Sequence, residues 1–371
     1  MKVADVVSIL ETIADPTLAA DWDNVGLLVG DTFRNTGKLM LCIDLTEQVL
    51  AEAVRRGAKM VMAYHPVIFK PVSRVTATSE PVLFKAIGNG IAVYSMHTAL
   101  DAAAGGTNDV LADAIGLKER RPMEPASARQ QSKIVVFCPV DDVARVSAAA
   151  FEAGAGVIGD YSDCAFASSG TGMFCGGAGT LPAVGTRCVH ETVDEVRLER
   201  LCPTSAAGDV YSAIAAAHSY EEPAIDVYRV DSYAAGLGMG RVGSFARPVS
   251  VSTLISRIKK HTGVSKVLLA GSPNKQSAVK SRRISIAACG AGACGPMWKD
   301  AAACGAEFFL TGEMRHHDAL AAVASGVTVV CVGHSNSERM ALHRLAGRIR
   351  QMCDKLELFV SATDRDPFDI V

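Results

Sequence analysis

The spacing of apolar residues in the first third of the chain alternates between a helical period and short buried runs. Residues 4–19 have the pattern of an amphipathic helix, with apolar side chains at Val6, Val7, Ile9, Leu10 and Ile13. After this segment the pattern predicts, in chain order, a strand at Lys38–Ile43, a helix at Thr46–Arg56, and strands at Met60–Ala63 and Ile91–Tyr94. Strands that alternate with helices favour a layered α/β arrangement.

In the middle of the chain the predicted helices and strands follow a different order. A polar, proline-containing segment at Glu119–Gln131 is predicted to be a linker. The elements predicted beyond it are a strand at Ile134–Cys138, a helix at Asp141–Ala153, one strand between Ala153 and Thr192, a strand at Thr192–Leu201, a helix at Val210–His218 and a strand at Ala224–Val230. This β-α-β-β-α-β order predicts a small ferredoxin-like α+β domain.

The last third of the chain repeats a pattern of the first third. In the first third a predicted strand ends at His97, and Asp101 follows four residues later; in the last third a strand ends at His334, and Glu338 follows at the same spacing. A tandem duplication would bring corresponding strand ends to one shared interface, where ligand sites of layered α/β proteins usually lie. The sequence therefore predicts a duplicated α/β domain, residues 1–128 and 233–371, interrupted by an inserted domain at residues 129–232.

Three further histidines lie at predicted strand ends of the duplicated domain. His65 follows a buried strand and precedes a proline, which favours an extended backbone at that position; it is either a ligand or a turn residue that caps the strand. His316 and His317 lie at a predicted helix start, so one is expected to face the cavity and the other solvent, unless both are ordinary surface residues.

Composition and charge narrow the class of protein. The 371 residues include 37 Lys and Arg against 39 Asp and Glu, so no basic excess indicates a nucleic-acid partner. The eleven cysteines form no C-x-x-C pair, which is typical of a reducing compartment. The first residues have no secretory pattern, and the longest strand-like apolar runs are too short for a bilayer. We expect a cytoplasmic protein without a membrane segment.

Histidine and carboxylate together are the ligands of borderline divalent cations such as Zn, Fe or Mn. His334 and Glu338 are therefore predicted metal ligands, the alternative being a capping or core role. His97 is either a ligand or a group that orients Asp101. The Gly-rich segment Gly236–Gly243 is interpreted as an interdomain turn, and Ala287–Gly295 as a place of close backbone packing.

With these residues identified, the sequence resembles the Nif-three-like dinuclear metal-centre family, whose members are often called GTP cyclohydrolase type 2 homologues. The resemblance covers essentially the whole chain, and its motifs are DWDNVGLLVGD (Asp21–Asp31), DLTEQVLAEAVRRGA (Asp44–Ala58), YHPVIFKP (Tyr64–Pro71), HTALDAAAGGTND (His97–Asp109), GLGMGRVG (Gly236–Gly243), TGEMRHHDAL (Thr311–Leu320) and GHSNSE (Gly333–Glu338). The insert, which ends HSYEEPAIDVYRV, looks like the PII- or CutA-like domain of longer family members.

The resemblance implies two divalent ions. His65 and Asp101 would hold one, His334 the other, and Glu338 would bridge them. The family usually has two histidines before the proline, whereas this chain has Tyr64 at the first position. A phenol is a poor ligand unless ionised, so the second site is expected to be weaker or completed by His97 or water. A ring-shaped homohexamer is also implied.

The resemblance further implies hydrolysis of a nucleotide or related small molecule, such as opening of the guanine ring of GTP. Glu338, His317 and His97 are the catalytic candidates, the two histidines as groups that move protons. The alternative is a non-catalytic metal-handling or regulatory protein whose insert binds a ligand. A partner-binding scaffold is a third hypothesis, which rests only on the implied ring.

Overall fold

A computed structural model describes residues 1–127, 131–159, 161–230, 233–271 and 276–368. The chain forms two compact units, one of Met1–Ala126 with Ala235–Val371 and the other of Ser127–Ala234. Within the described ranges, no helix is both long enough and apolar enough to cross a membrane.

The part of the chain before the insert contains five helices and six strands among its described residues. The helices are α1 (Val3–Ile13), α2 (Glu47–Arg56), α3 (Pro81–Gly88), α4 (His97–Ala102) and α5 (Thr107–Ile115). The strands are β1 (Gly26–Val29), β2 (Lys38–Cys42), β3 (Met60–Ala63), β4 (Ala92–Ser95), β5 (Lys118–Arg121) and β6 (Glu124–Ser127).

The insert has the chain order β7 (Gln131–Pro139), α6 (Val143–Glu152), β8 (Phe166–Cys175), β9 (His190–Pro203), α7 (Ala207–Ala217) and β10 (Ile225–Val230). Its strands form an antiparallel sheet in the order β10-β7-β9-β8. The β-α-β-β-α-β order expected from the sequence is therefore present, with β8 as the strand that the sequence left unplaced between Ala153 and Thr192. Apolar residues of α6 and α7 pack with those of β7 and β9 in one core.

The part of the chain after the insert continues the first unit. Its strands are β11 (Tyr233–Met239), β12 (Arg241–Ser250), β13 (Leu268–Ala270), β14 (Arg283–Ala293), β15 (Phe308–Glu313), β16 (Thr328–Cys331) and β17 (Glu357–Val360). Its helices are α8 (Val251–Thr262), α9 (Gln276–Ser281), α10 (Trp298–Ala303), α11 (His316–Ala324) and α12 (His334–Met352).

Two sheets of the first unit share one arrangement. In the sheet β1-β4-β3-β2-β17, strands β2, β3 and β4 are parallel and β1 runs antiparallel beside β4. In the sheet β13-β16-β15-β14-β12-β5, strands β14, β15 and β16 are parallel and β13 runs antiparallel beside β16. Strand β17 comes from the second half but pairs with β2, and β5 comes from the first half but pairs with β12, so each half contributes a strand to the sheet of the other.

Local sequence explains where these elements begin and end. The Thr46 hydroxyl accepts a hydrogen bond from the Val49 amide and caps α2, and Gly57 closes this helix with a φ of 75°. The buried runs of β2, β3 and β4 pack on both faces against helices, as parallel strands require. Side chains at the carboxyl ends of these strands are therefore held on a rigid base.

Three sequence predictions are corrected by the structure. The first helix ends at Ile13 instead of continuing to residue 19, because Asp15 caps a separate short turn that begins with Pro16. The predicted linker at Glu119–Gln131 contains most of β5 and all of β6, while residues 128–130 lie outside the described residues. The predicted interdomain turn at Gly236–Gly243 is mostly the strands β11 and β12, with Gly240 between them at a φ of 61°.

Arg241 explains why this Gly-rich segment is fixed in place. Its side chain is buried, and its Nε and Nη2 atoms donate to the two carboxylate oxygens of Asp109 at 3.0 and 2.9 Å. Its Nη1 atom also donates to the carbonyl oxygens of Gly238 and Gly240, both at 2.7 Å. The buried guanidinium thus joins the Gly-rich segment Gly236–Gly243 to Asp109 of α5.

Candidate metal centre

The ends of parallel strands place the candidate ligands. Tyr64 and His65 follow β3, and His97 begins α4 just after β4, so these side chains lie at one edge of the first sheet. In the other sheet, β16 ends at Cys331, and α12 begins at His334 with Glu338 one turn later. Both sheets belong to the same unit, and α12 packs against strands of both.

Three of the predicted ligands converge. His65 Nε2 lies 3.3 Å from Glu338 Oε2, and His334 Nε2 lies 3.4 Å from Glu338 Oε1. One ligand atom from each of these residues lies within 4.8 Å of the other two, which is close enough to hold one metal ion. His65 comes from the part of the chain before the insert, and His334 and Glu338 come from the part after it.

Glu338 is the buried member of this group. It is only 2% exposed, and its Oε2 atom has no hydrogen-bond partner among the residues the structure describes. A buried carboxylate oxygen without a donor is costly, because its desolvation is not compensated. A divalent cation between Glu338 and the two imidazoles would compensate it, so the donor set fits a metal ion.

Two acidic residues orient the imidazoles of the cluster. His65 Nδ1 is 2.8 Å from Asp44 Oδ1, and His334 Nδ1 is 3.0 Å from Glu313 Oε1. Each contact occupies Nδ1 and leaves Nε2 facing Glu338, as in many metal sites. Sequence reasoning missed both acids, although a signal was present: Asp44 comes two residues after β2, and Glu313 is the last residue of β15.

Gly292 allows the backbone to pass close to the cluster. It has a φ of 65°, and its amide donates to the Ser337 hydroxyl at 2.8 Å. A Cβ atom at this position would lie 2.6 Å from Glu338 Oε1 and 3.5 Å from His334 Nε2. The Gly-rich segment Ala287–Gly295 thus serves close backbone packing, as predicted, and the packing is against the candidate metal ligands.

His97 lies beside the cluster but outside it. Its Nδ1 atom is 2.8 Å from Asp23 Oδ1, and its ring centroid is 5.3 Å from that of His65. The Thr98 amide also donates to Asp23, at 3.1 Å, and these hydrogen bonds lower the pKa of Asp23 even though burial raises it. His97 has a φ of 27°, a strained value for a residue with a side chain. Its described hydrogen bond goes to Asp23 and not to Asp101.

Asp101 is buried and engaged with Tyr64. The Tyr64 hydroxyl donates to Asp101 Oδ1 and lies 3.1 Å from Thr107 Oγ1. Burial, together with the negative charge of Glu338, raises the pKa of Asp101 to about 6. Burial and the Asp101 charge also raise the pKa of Tyr64. The charge of Glu338 thus affects the pKa of Asp101. Asp101 nevertheless lies outside the three-residue cluster, and its role as a ligand stays a prediction.

His316 and His317 are both exposed in the structure. Their rings contact each other, with centroids 5.4 Å apart, and no described contact joins either ring to His65, His334 or Glu338. The expectation that one of them faces the cavity therefore has no support here. The catalytic role of His317 stays a prediction from the sequence.

The protonation of His65 predicts a pH dependence of the metal-free protein. Burial lowers the pKa of His65, but the carboxylates of Asp44 and Glu338 outweigh it and raise the pKa to about 10. Because this value lies above that of an unfolded histidine, the stabilisation is fully present below about pH 6.5 and is lost as the pH rises toward 10. In chelator-treated protein, the excess stability of the wild type over His65→Asn should shrink between pH 6.5 and pH 10. A constant difference in denaturation midpoint would contradict this assignment.

Comparison with known proteins gives one consistent result. Residues 1–367 match the sequence profile of the family described as Duf34/NIF3 (NGG1p interacting factor 3). A protein of Halalkalibacterium halodurans named GTP cyclohydrolase 1 type 2 homolog is 31% identical over 100% of both chains. The protein of the same name from Bacillus subtilis is 33% identical over 98% of this chain and 97% of its own. The crystal structure of a Bacillus cereus protein related to NIF3 is 31% identical, covers 100% of this chain and 99% of its own, and has a TM-score of 0.74.

Proposed function

Because the chain belongs to the Duf34/NIF3 family, we propose that it is a metal-dependent hydrolase of a nucleotide or a related small molecule. The observation that carries this proposal is the convergence of His65, His334 and Glu338 around the unpartnered Glu338 Oε2 atom. The relatives' printed name, GTP cyclohydrolase 1 type 2 homolog, supports a nucleotide as the first substrate class to test.

The ligand set indicates the kind of metal. Two imidazoles and one carboxylate suit Zn, Fe or Mn better than Ca or Mg, which prefer oxygen ligands. A divalent ion bound there supplies Lewis acidity for hydrolysis. The family resemblance implies a second ion, for which Asp101 would be a ligand and Glu338 the bridge, but this chain has Tyr64 in place of the family's usual first histidine.

The remaining catalytic roles belong to groups around the ion. Glu338 would hold the ion together with the two imidazoles, and it is the buried carboxylate of the cluster. His97 is proposed to move protons, because Asp23 fixes its Nδ1 atom and places its ring beside His65. His317 is proposed for the same task from the sequence motif alone.

A cavity next to His65 supports an anionic substrate. It has a volume of about 390 Å³ and is lined by residues that include Asp44, Thr46, His65 and Arg365. Arg365 is exposed, and its guanidinium has no ion pair with any residue in the described part of the chain. The Asp44 carboxylate in the same cavity already bonds to His65. Arg365 is therefore the group available to a phosphate of the substrate.

Arg365→Gln is expected to raise the KM for a phosphate-bearing substrate roughly 10-fold while leaving kcat little changed, because one charge-assisted hydrogen bond contributes about 1.5–3 kcal/mol to binding. The matched control is Arg247→Gln, since Arg247 is also exposed but lies on β12 and does not line this cavity. Equal KM values for the two variants and the wild type would remove Arg365 from the substrate site.

The test of the hydrolase itself is turnover by metal-loaded protein. Purified chain is loaded with Zn, Fe or Mn and incubated with a panel of nucleotides that begins with GTP, and the products are separated by chromatography. Turnover should disappear on chelation and return when the ion is added back. Metal-loaded protein that turns over no member of the panel would refute the hydrolase.

A second function is favoured by one observation in the insert. A cavity of about 360 Å³ lies within this unit, lined by the apolar Phe137, Phe174 and Val184 and by the acidic Glu195, Glu221 and Glu222. The sheet order β10-β7-β9-β8 supports the PII- or CutA-like assignment of the insert, and this resemblance implies a ligand-binding role. In this alternative the chain senses a small molecule without turnover, and calorimetry on the full chain with candidate metabolites would detect binding.

The proposal extends to assembly and location. We propose a homohexamer, which light scattering would report as six times the 38.9 kDa chain mass. A cytoplasmic location is proposed because all eleven cysteines are free, as a reducing compartment requires. The near-balanced charge gives no reason to add a nucleic-acid partner.

A further inference from the structure

We infer that Tyr64 makes the metal centre of this chain mononuclear, with one ion on His65, His334 and Glu338 and with Asp101 held by the phenol instead of by a second ion. This inference rests on the metal centre of the proposed function. It concerns only how many ions the chain binds, which can be measured without knowing the substrate.

Tyr64 has no freedom to leave Asp101. Its side chain is fully buried, and its backbone is fixed by three hydrogen bonds: its amide donates to the Cys42 carbonyl at 2.8 Å, and its carbonyl accepts from the His97 amide at 3.1 Å and from the Ser95 hydroxyl at 2.8 Å. The phenol ring is therefore held in one position, in which its hydroxyl contacts Asp101 and Thr107.

One oxygen of the Asp101 carboxylate is engaged by the Tyr64 hydroxyl. Asp101 Oδ1 accepts a hydrogen bond from the Tyr64 hydroxyl. The backbone carbonyl of Asp101 accepts another from Asn108 Nδ2 at 3.0 Å, which fixes the position of the residue. A neutral phenol that donates to a carboxylate satisfies it without a cation. This differs from Glu338, whose Oε2 atom has no donor within the described residues.

The remaining groups do not complete a second set of ligands. Within the described part of the chain, the one group of at least three His, Cys, Asp or Glu side chains that could hold an ion is His65, His334 and Glu338. His97 is not part of that group.

The test compares metal content in wild type, Tyr64→His and Tyr64→Phe. Each protein is saturated with Mn, freed of unbound ion by gel filtration and analysed by inductively coupled plasma mass spectrometry. We expect one ion per chain in the wild type, two in Tyr64→His because imidazole is a ligand and Asp101 is released, and one in Tyr64→Phe because phenylalanine supplies none. Electron paramagnetic resonance gives an independent readout, since two neighbouring Mn ions couple magnetically and a single ion does not.

Two ions per chain in the wild type would overturn the inference and leave the proposed metal centre intact. The same count of one in Tyr64→His and wild type would also overturn it, because Tyr64 would then not be the cause. If Tyr64→His does not fold, the number of ions bound by the wild type and its electron paramagnetic resonance spectrum still test whether the centre is mononuclear. No bound ion in any of the proteins would instead refute the metal centre of the proposed function.

Discussion

Glu338→Gln is expected to lower the affinity for a divalent ion by more than about 100-fold and to abolish hydrolysis. Removal of a group that only orients a ligand typically lowers metal affinity 10–100-fold, so loss of a ligand carboxylate should exceed that range. The physical reason is that Glu338 lies between His65 and His334 and provides the only carboxylate of the three-residue cluster. Calorimetric titration of metal-free protein with Zn measures the affinity directly.

Two substitutions of the same kind serve as controls for Glu338→Gln. Glu313→Gln removes the group that orients His334 and should lower the affinity about 10-fold. Glu357 is an exposed residue of β17 that forms an ion pair with Lys38, and Glu357→Gln should change nothing at the centre. If Glu338→Gln binds Zn as tightly as Glu357→Gln does, Glu338 is not a ligand.

Arg241→Met has the largest expected effect on folding. It should lower the free energy of unfolding of the first unit by about 3–5 kcal/mol, because it removes the buried cationic partner of the Asp109 carboxylate and a donor to two buried carbonyl oxygens. Both tryptophans of the chain, Trp22 and Trp298, lie in this unit. Tryptophan fluorescence during urea unfolding therefore reports on it selectively.

Arg120→Met is the matched control for Arg241→Met. Arg120 also pairs with Asp109, through its Nε atom at 3.0 Å, but its side chain is 30% exposed. Partly exposed ion pairs contribute about 1 kcal/mol or less, so the control should unfold close to wild type. Equal destabilisation by the two substitutions would show that burial of Arg241 is not what stabilises the segment between β11 and β12.

The sequence predicted most of the strands and helices that position the centre. The helix at Thr46–Arg56 and the strand at Met60–Ala63 were predicted to within a residue, because the helix has a threonine cap and a closing glycine and the strand is a continuous buried apolar run. Of the residues predicted as ligands, His65, His334 and Glu338 lie together in the structure, whereas Asp101 lies outside this cluster. These are local signals, which a single sequence contains.

What the sequence could not predict depends on contacts between distant segments. The exchange of β5 and β17 between the two sheets cannot be predicted from the composition of these strands, because strand pairing depends on the tertiary structure. Gly236–Gly243 resembled a turn because glycine is common in turns, but here Gly238 allows the backbone of β6 to lie close to β11 and Gly243 allows that of β5 to lie close to β12. The pairing of Tyr64 with Asp101 likewise spans 37 residues and becomes visible only in three dimensions.

The most direct test of the metal centre is a crystal structure of the chain grown with Zn, with diffraction data collected on both sides of the Zn absorption edge. The account predicts an anomalous difference peak bounded by His65 Nε2, His334 Nε2 and the Glu338 carboxylate, at the short distances of coordination bonds. A map without a peak between these three side chains, from protein with Zn bound elsewhere or not at all, would contradict it.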